Sequence, residues 1–298
     1  MESRIYPIEH SYFEIRQIIS SLIARYPFLG RSNIGRTVAG RDITALSIGS
    51  GEESVLFVGG DDPACRISTL LLLKFCEEVC HCILHGKELC GLNLRKALFG
   101  RGIIFVPQLN PDGAEIAQRG GPGCGYMAGR IEKLCDGKFD TWRSNLRGVE
   151  ICRNLPYRFD TRKLKEQKGG VHSPRPFGFG GYKEISEPET LALVELCRAK
   201  KIRHLVHISS FGQTVSYSGD PITPAHSEKM AEVIAAVSSF AVCPPIAKEE
   251  TGICDWFTYE TSKPALCIKI GEDCVPPIES LYQQYAVLRE ALTLSSLF

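Results

Sequence analysis

The sequence has no apolar run near the roughly 18 residues that a membrane-spanning helix needs, so no membrane is an expected partner. It has little excess charge of either sign: 35 Lys and Arg stand against 34 Asp and Glu, a net charge of +1. There is no basic stripe, and nucleic acid is not an expected partner either. The opening residues, MESRIYPIEH, lack a signal-peptide core, which leads us to expect a cytoplasmic location. Neither CxxC nor zinc-finger spacing occurs, although cysteine is abundant at 13. An odd count without a secretion signal fits reduced thiols, most of them small buried hydrophobes. No repeat and no linker interrupts the chain. At 298 residues and 44% hydrophobic content, one domain over residues 1–298 is expected.

What is present alternates between two periods. Residues 8–26 carry Phe13, Ile15, Ile18, Ile19, Leu22 and Ile23 at helical spacing, closed by Pro27 and Gly30. Residues 32–38 and 41–48 read as strands, as do 55–58, 102–107, 202–209, 213–217 and 265–270. Helices are expected over 67–84, 186–200, 227–240, 255–261 and 278–294. Ser186 is the expected N-cap of the second of these, with Pro188 in its first turn. Asn110-Pro111-Asp112-Gly113 reads as a turn. Residues 117–140 and 158–182 read as long loops, the first with one short helix near 129–134. This order implies an α/β fold: a three-layer α/β/α sandwich around a mixed, mostly parallel sheet.

The candidate site lies in Val55–Thr69. A buried strand, Val55–Val58, runs through Gly59-Gly60 into a polar loop and then an apolar helix. In open α/β sheets such loops hold the ligand. This one offers Asp61, Asp62 and Cys65.

Several strings then line up in order: the Gly60 loop, Asn110-Pro111-Asp112-Gly113, Trp142-Arg143, Gly148-Val149-Glu150-Ile151-Cys152-Arg153-Asn154, Ser186-Glu187-Pro188-Glu189, Ser210-Phe211-Gly212-Gln213, Asp255-Trp256 and Ile268-Lys269-Ile270-Gly271. Together they resemble the zinc carboxypeptidase family of carboxypeptidase A, and most nearly its γ-D-glutamyl-L-diamino acid endopeptidase branch. The resemblance spans Tyr12 to Leu292. It implies a zinc site of two His and one Glu, with a further Glu as general base on the metal-bound water.

This chain departs from the family at each of those positions. The first-loop ligand positions hold Asp62 and Cys65, the second His position holds Ser209, and the general-base position holds Lys269. A serine hydroxyl is a poor zinc ligand, and an ammonium accepts no proton. His207, two residues before Ser209, shares its strand face but lies about 7 Å deeper, so it reaches the ligand position only if the strand slips. His81 and His85 have a metal spacing on a helix, yet no third ligand is evident. No metal and no cofactor are therefore expected. Charge balance suggests instead that the Lys269 ammonium approaches the vacant metal position and bridges to Asp62, with Ser209 as a further partner; the alternative is a Lys269 turned to solvent.

The resemblance also implies a substrate-binding side. Cys152-Arg153 matches the family's Asn-Arg pair for a terminal carboxylate, Arg143 matches its oxyanion arginine, and Ala247 falls nearest its capping tyrosine. The alternative for Arg153 is a structural tie to Glu150 or Glu260. The expected function is that of an inactive homologue, a pseudopeptidase holding a peptide or small carboxylate ligand, cell-wall peptide being the class its branch suggests. The alternative is an active hydrolase working through unconventional metal ligands or through Cys65 or Cys152 as nucleophile.

Overall fold

The computed structural model describes residues 5–49, 53–243, 252–272 and 275–298. Eight strands form one sheet: β1 (Gly30–Arg36), β2 (Asp42–Ile48), β3 (Glu53–Val58), β4 (Arg101–Val106), β5 (Ile202–Ser210), β6 (Thr214–Tyr217), β7 (Ala241–Cys243) and β8 (Ala265–Ile270). Their spatial order is β1-β2-β4-β3-β5-β8-β6-β7. The centre, β4-β3-β5-β8, is parallel throughout, while β2 joins β4 and β6 joins β8 antiparallel. The sheet is mixed, as the alternating pattern implies.

Strand alternation explains why the sheet needs cover on both sides. Val55, Phe57, Val206, Ile208, Leu266 and Ile268 face one layer of helices, which includes Tyr12–Arg25, Arg66–His85, His226–Ser238 and Leu281–Ser295. Leu56, Val58, Leu205 and Ala265 face the other, with Pro188–Ala199 and Ile253–Thr261. Residues i and i+2 share a face, so both sets must be apolar for the strand to be buried on both sides. Phe57, Phe75 and Phe105 pack as a triangle with centroids 5.4–5.9 Å apart and fix β3 against β4 and the Arg66–His85 helix. Among the described residues no helix is long and apolar enough to cross a membrane.

Besides adding β7 and a short helix, Leu94–Ala97, the structure differs from the sequence reading around Asn110, Gly121, Phe159 and Ser186. Asn110 is a helix N-cap and not part of a free turn: its side chain accepts from the Gly113 amide, and Pro111–Arg119 is helical. Gly121–Met127 adds helical turns to the first expected loop, in which Ala128–Cys135 is the short helix expected near 129–134. Phe159–Lys168 is a helix inside the second expected loop. At the helix starting with Pro188 the N-cap is Glu187, not Ser186. The Ser186 hydroxyl is taken up otherwise, donating to Glu187 and accepting from Asn154.

Candidate functional site

β3, β5 and β8 are parallel neighbours, so their C-terminal ends lie along one edge of the sheet. The loop after β3 turns sharply there. Gly60 has φ +63°, and a Cβ on it would lie 2.8 Å from Gln108 Cα and 2.9 Å from Pro107 O. Only glycine fits that crossing. The Asn110 amide donates to Gly60 O at 2.8 Å, and its side-chain amide donates to Asp61 O at 3.2 Å. Asp61 and Asp62 are thereby held over the strand ends.

A cavity of ≈ 390 Å³ opens at this edge, a size ordinary for small-ligand sites. Asp62, Arg143, Arg153, His207, Cys267 and Lys269 all line it, as do Cys152 and Ser209. Of the expected site residues, Asp62, Arg143, Cys152, Arg153, Ser209 and Lys269 are therefore brought together. Cys65 is not with them. It is 1% exposed, beneath the start of the Arg66–His85 helix, and burial with the nearby Asp62 charge pushes its thiol far up.

The expected Lys269–Asp62 bridge is absent from the ion pairs of the described residues. Asp62 meets Arg143 Nη2 at 3.7 Å and accepts from Ser210 Oγ at 3.3 Å. The reason is register: Lys269 lies beside Ser209 across β5–β8, and Ser210, the next residue, is the one aimed at Asp62. Burial pushes the Asp62 carboxyl up to about 7, against the pull of Arg143.

Arg153 takes the structural partner Glu150. Its Nε donates to Glu150 at 3.1 Å, and Glu150 also accepts from the Gly178 amide and the Cys152 thiol. Glu260 pairs with Arg198 instead. The terminal nitrogens of Arg153 have no other partner among the described residues and lie at the cavity. Burial first, then Glu150 and Asp61, hold the Cys152 thiol well above its ordinary value. Ala247 lies outside the described residues.

One arrangement escaped the sequence reading. His207 is 6% exposed, and its Nε2 lies 2.8 Å from Asp61 Oδ1. Its Nδ1 lies 3.8 Å from Cys267 Sγ. His207 and Cys267 are register partners, one step beneath Ser209 and Lys269. The available signal was the step of two from Ser209 to His207; the same step from Lys269 reaches Cys267.

The donor set does not fit a zinc ion. Asp62, Cys65 and Ser209 supply a carboxyl that holds its proton up to about neutral pH, a buried thiol that keeps its proton and a hydroxyl. The β5–β8 register is unshifted, so His207 stays a step below. No group of three or more His, Cys, Asp or Glu is placed to hold a metal among the described residues. His81 and His85, with rings 4.4 Å apart, lie near the end of their helix.

A mixed sheet with a polar cleft at its parallel C-terminal edge is the architecture of an α/β enzyme fold. The sequence profile described as zinc carboxypeptidase matches residues 15–245, and the chain belongs to that family. It is 22% identical over 283 residues to gamma-D-glutamyl-L-diamino acid endopeptidase 1 of Lysinibacillus sphaericus, covering 92% of this chain and 70% of that protein. It is 28% identical over 203 residues to the mouse carboxypeptidase N catalytic chain, covering 64% of this chain and 40% of that one. Among solved structures, thrombin-activatable fibrinolysis inhibitor superposes with a TM-score of 0.78 at 18% identity, over 99% of this chain and 75% of that chain. Murein-tripeptide amidase MpaA from Escherichia coli O157 superposes at 0.54 and 16% identity, over 88% and 91%.

Proposed function

We propose that this chain uses the family's cleft as a binding site for a peptide or other carboxylate ligand, and that zinc-assisted hydrolysis has been lost. The observation that carries the reading is the split between two halves of one cavity. The half that would hold the metal and the base has Asp62, Ser209 and Lys269, which offer too few donors for zinc and an ammonium where the base carboxylate would stand. The half that would hold a carboxylate has Arg153 and Arg143, whose planar forks suit it. Lys269 adds a cation to the cavity lining. The ligand class is a peptide ending in a free carboxylate, and the Lysinibacillus relative's name points to γ-D-glutamyl-diamino acid peptides. A cytoplasmic site of action goes with this reading.

Thermal shift with a γ-D-glutamyl-diaminopimelate peptide tests it, against Arg153→Met and a peptide amidated at its C-terminus. A rise in Tm that is lost on amidation and in the variant is expected. No rise with any carboxylate peptide overturns the binding half. Metal analysis after dialysis against zinc is expected to find well under one equivalent; a stoichiometric zinc removed by chelator together with peptidase activity overturns the other half.

A further inference from the structure

The cavity lining carries a second constellation that neither the family's metal site nor the carboxylate grip uses. Asp61, His207 and Cys267 come from three adjacent strands: the loop after β3, then β5, then β8. His207 sits between the other two, with Nε2 2.8 Å from Asp61 Oδ1 and Nδ1 3.8 Å from Cys267 Sγ. Asp61 and His207 are nearly buried, at 5% and 6% exposed, whereas Cys267 keeps partial exposure and lines the cavity. A buried acid orients an imidazole, and the imidazole faces a thiol that opens onto a ligand-sized space. That is the order of parts a thiol nucleophile needs. We propose that Cys267 is a catalytic nucleophile, with His207 as its proton carrier and Asp61 as the residue that positions His207, acting on an acyl group joined to an amine or alcohol.

The surroundings fit this assignment. The Cys254 thiol, from the Ile253–Thr261 helix, faces Cys267. Its hydrogen bond, followed by the His207 hydrogen bond and charge and then the Lys269 ammonium, holds Cys267 well below its ordinary value in spite of burial. Burial opposes charge on His207, but Asp61 and then Cys267 override it and hold the imidazole well above its ordinary value. Cys254 itself is held well above its own by Cys267 and burial, so it remains the donor of that pair. In the proposed active form the Cys267 proton sits on His207, with Nε2–H donating to Asp61 and Nδ1–H facing the sulfur.

The steps balance without a metal. Cys267 sulfur bonds to the carbonyl carbon, the bond from carbon to the leaving amine or alcohol breaks, and the His207 proton goes to that leaving group. Water then attacks the thioester carbon, gives one proton to His207, and the carbon–sulfur bond breaks to restore the thiolate. One acyl compound and one water yield one acid and one amine or alcohol. Lys269, one register step nearer the mouth, lies where a cation can steady the carbonyl oxygen or a carboxylate on the acyl chain. The reacting carbon must pass Ser209 and Lys269, a depth of about 7 Å, which selects slender acyl ends. The nucleophile does not depend on Arg153 gripping a carboxylate; only the preference for an acidic acyl group rests on the reading above.

The test uses the full chain with two activated esters, glutaryl and butyryl p-nitrophenyl ester, followed by intact mass and peptide mapping. One equivalent of acyl group on Cys267 is expected, with a burst of nitrophenol that Cys267→Ala abolishes and Cys65→Ala retains. Iodoacetamide labelling of Cys267 is expected to proceed well below the range of an ordinary thiol near 8.5. His207→Asn should move that profile up towards the ordinary range and slow acylation ~100-fold. Asp61→Asn should move it in the same direction by less, which loss of a merely structural contact would not do. Acylation of Cys267 by both esters alike would uphold the nucleophile and remove the acidic preference. No acylation at Cys267, or labelling there with an ordinary thiol profile in wild type, would overturn the proposal, even where carboxylate peptides still bind.

Discussion

Asp62→Asn probes how the charge at the family's first metal position is held. The Asp62 side chain is 16% exposed, with Arg143 at 3.7 Å as its nearest cation and Asp61 as its neighbour. Burial takes its carboxyl from an ordinary 3.8 to about 7. That is a rise of about three units, or roughly 4 kcal/mol at 1.36 kcal/mol per unit. Between those two values the folded chain keeps a proton that the unfolded chain has released. The unfolded state therefore binds fewer protons, and stability falls as pH rises. Below the lower value the contribution is fully present; above the upper one it is gone. Asparagine does not titrate, so the stability of the variant minus that of wild type should climb by about 4 kcal/mol from acid to neutral pH and then level off. Glu189, which burial also pushes up to about 7, is common to both proteins and cancels in the difference. Urea unfolding followed by fluorescence at a series of pH values gives the curve. A difference flat to within about 1 kcal/mol would refute the reasoning. It would mean that Asp62 stays ionised throughout, as it would with the Lys269 ammonium laid against it.

Three further substitutions test the frame around the cleft. Gly60→Ala puts a methyl group against Pro107 and Gln108 backbone at a positive φ, and calorimetry should show a loss of about 2–4 kcal/mol; a change near zero would mean that the loop moves freely. Asp112→Ala strips one fully buried carboxylate from Thr37 Oγ1, the Ala39 amide and Arg41, and should cost about 3–5 kcal/mol in denaturant unfolding. His204 is lowered to about 4 by burial while donating to Ser295 O, so its titration should cost wild type about 3 kcal/mol relative to a variant without it as pH falls from about 6.5 to 4. His204→Gln should flatten that limb, and equal slopes in the two proteins would count against a neutral buried imidazole.

Most of the sheet was legible because its central strands are buried on both faces and read as short apolar runs. β8 falls on the residues expected, 265–270, and β3 and β5 within two residues of their ends. The helix Phe159–Lys168 was not legible because it buries only Phe159, Arg162 and Glu166, which leaves no apolar stripe to find. Pro111–Arg119 was masked by a string that serves equally as a turn and as an N-cap with proline in the first turn. The cleft residues were legible one strand at a time. Periodicity places His207 and Ser209 on one face of β5, and Cys267 and Lys269 on one face of β8. The pairing of His207 with Cys267 is a matter of register between strands far apart in the chain, which no local pattern carries. Asp61 then depended on a loop path set by Gly60.

The strings that mark the family are, in this chain, mostly strings that hold the frame. Asn110 caps a helix and ties down the Asp61 loop; Asp112 anchors the β1–β2 hairpin through Thr37, Ala39 and Arg41. Asn145 donates to both Glu187 and Glu189, and Asn154 joins Gly180, Lys183 and Ser186. Each of these polar groups is buried, so removing one partner leaves the other unsatisfied at a cost of several kcal/mol. That cost is independent of whether the cleft cuts peptides. On the reading proposed above, the residues at the second metal position and the base position carry no such obligation, because Ser209 and Lys269 face a cavity and can be exchanged without orphaning a core partner. A fold of this kind therefore keeps its family signature while its chemistry changes, and the new chemistry is found by asking which polar groups at the strand ends now satisfy one another. Here those groups are Asp61 in the loop after β3, and His207 and Cys267, which lie one step deeper than Ser209 and Lys269 on β5 and β8.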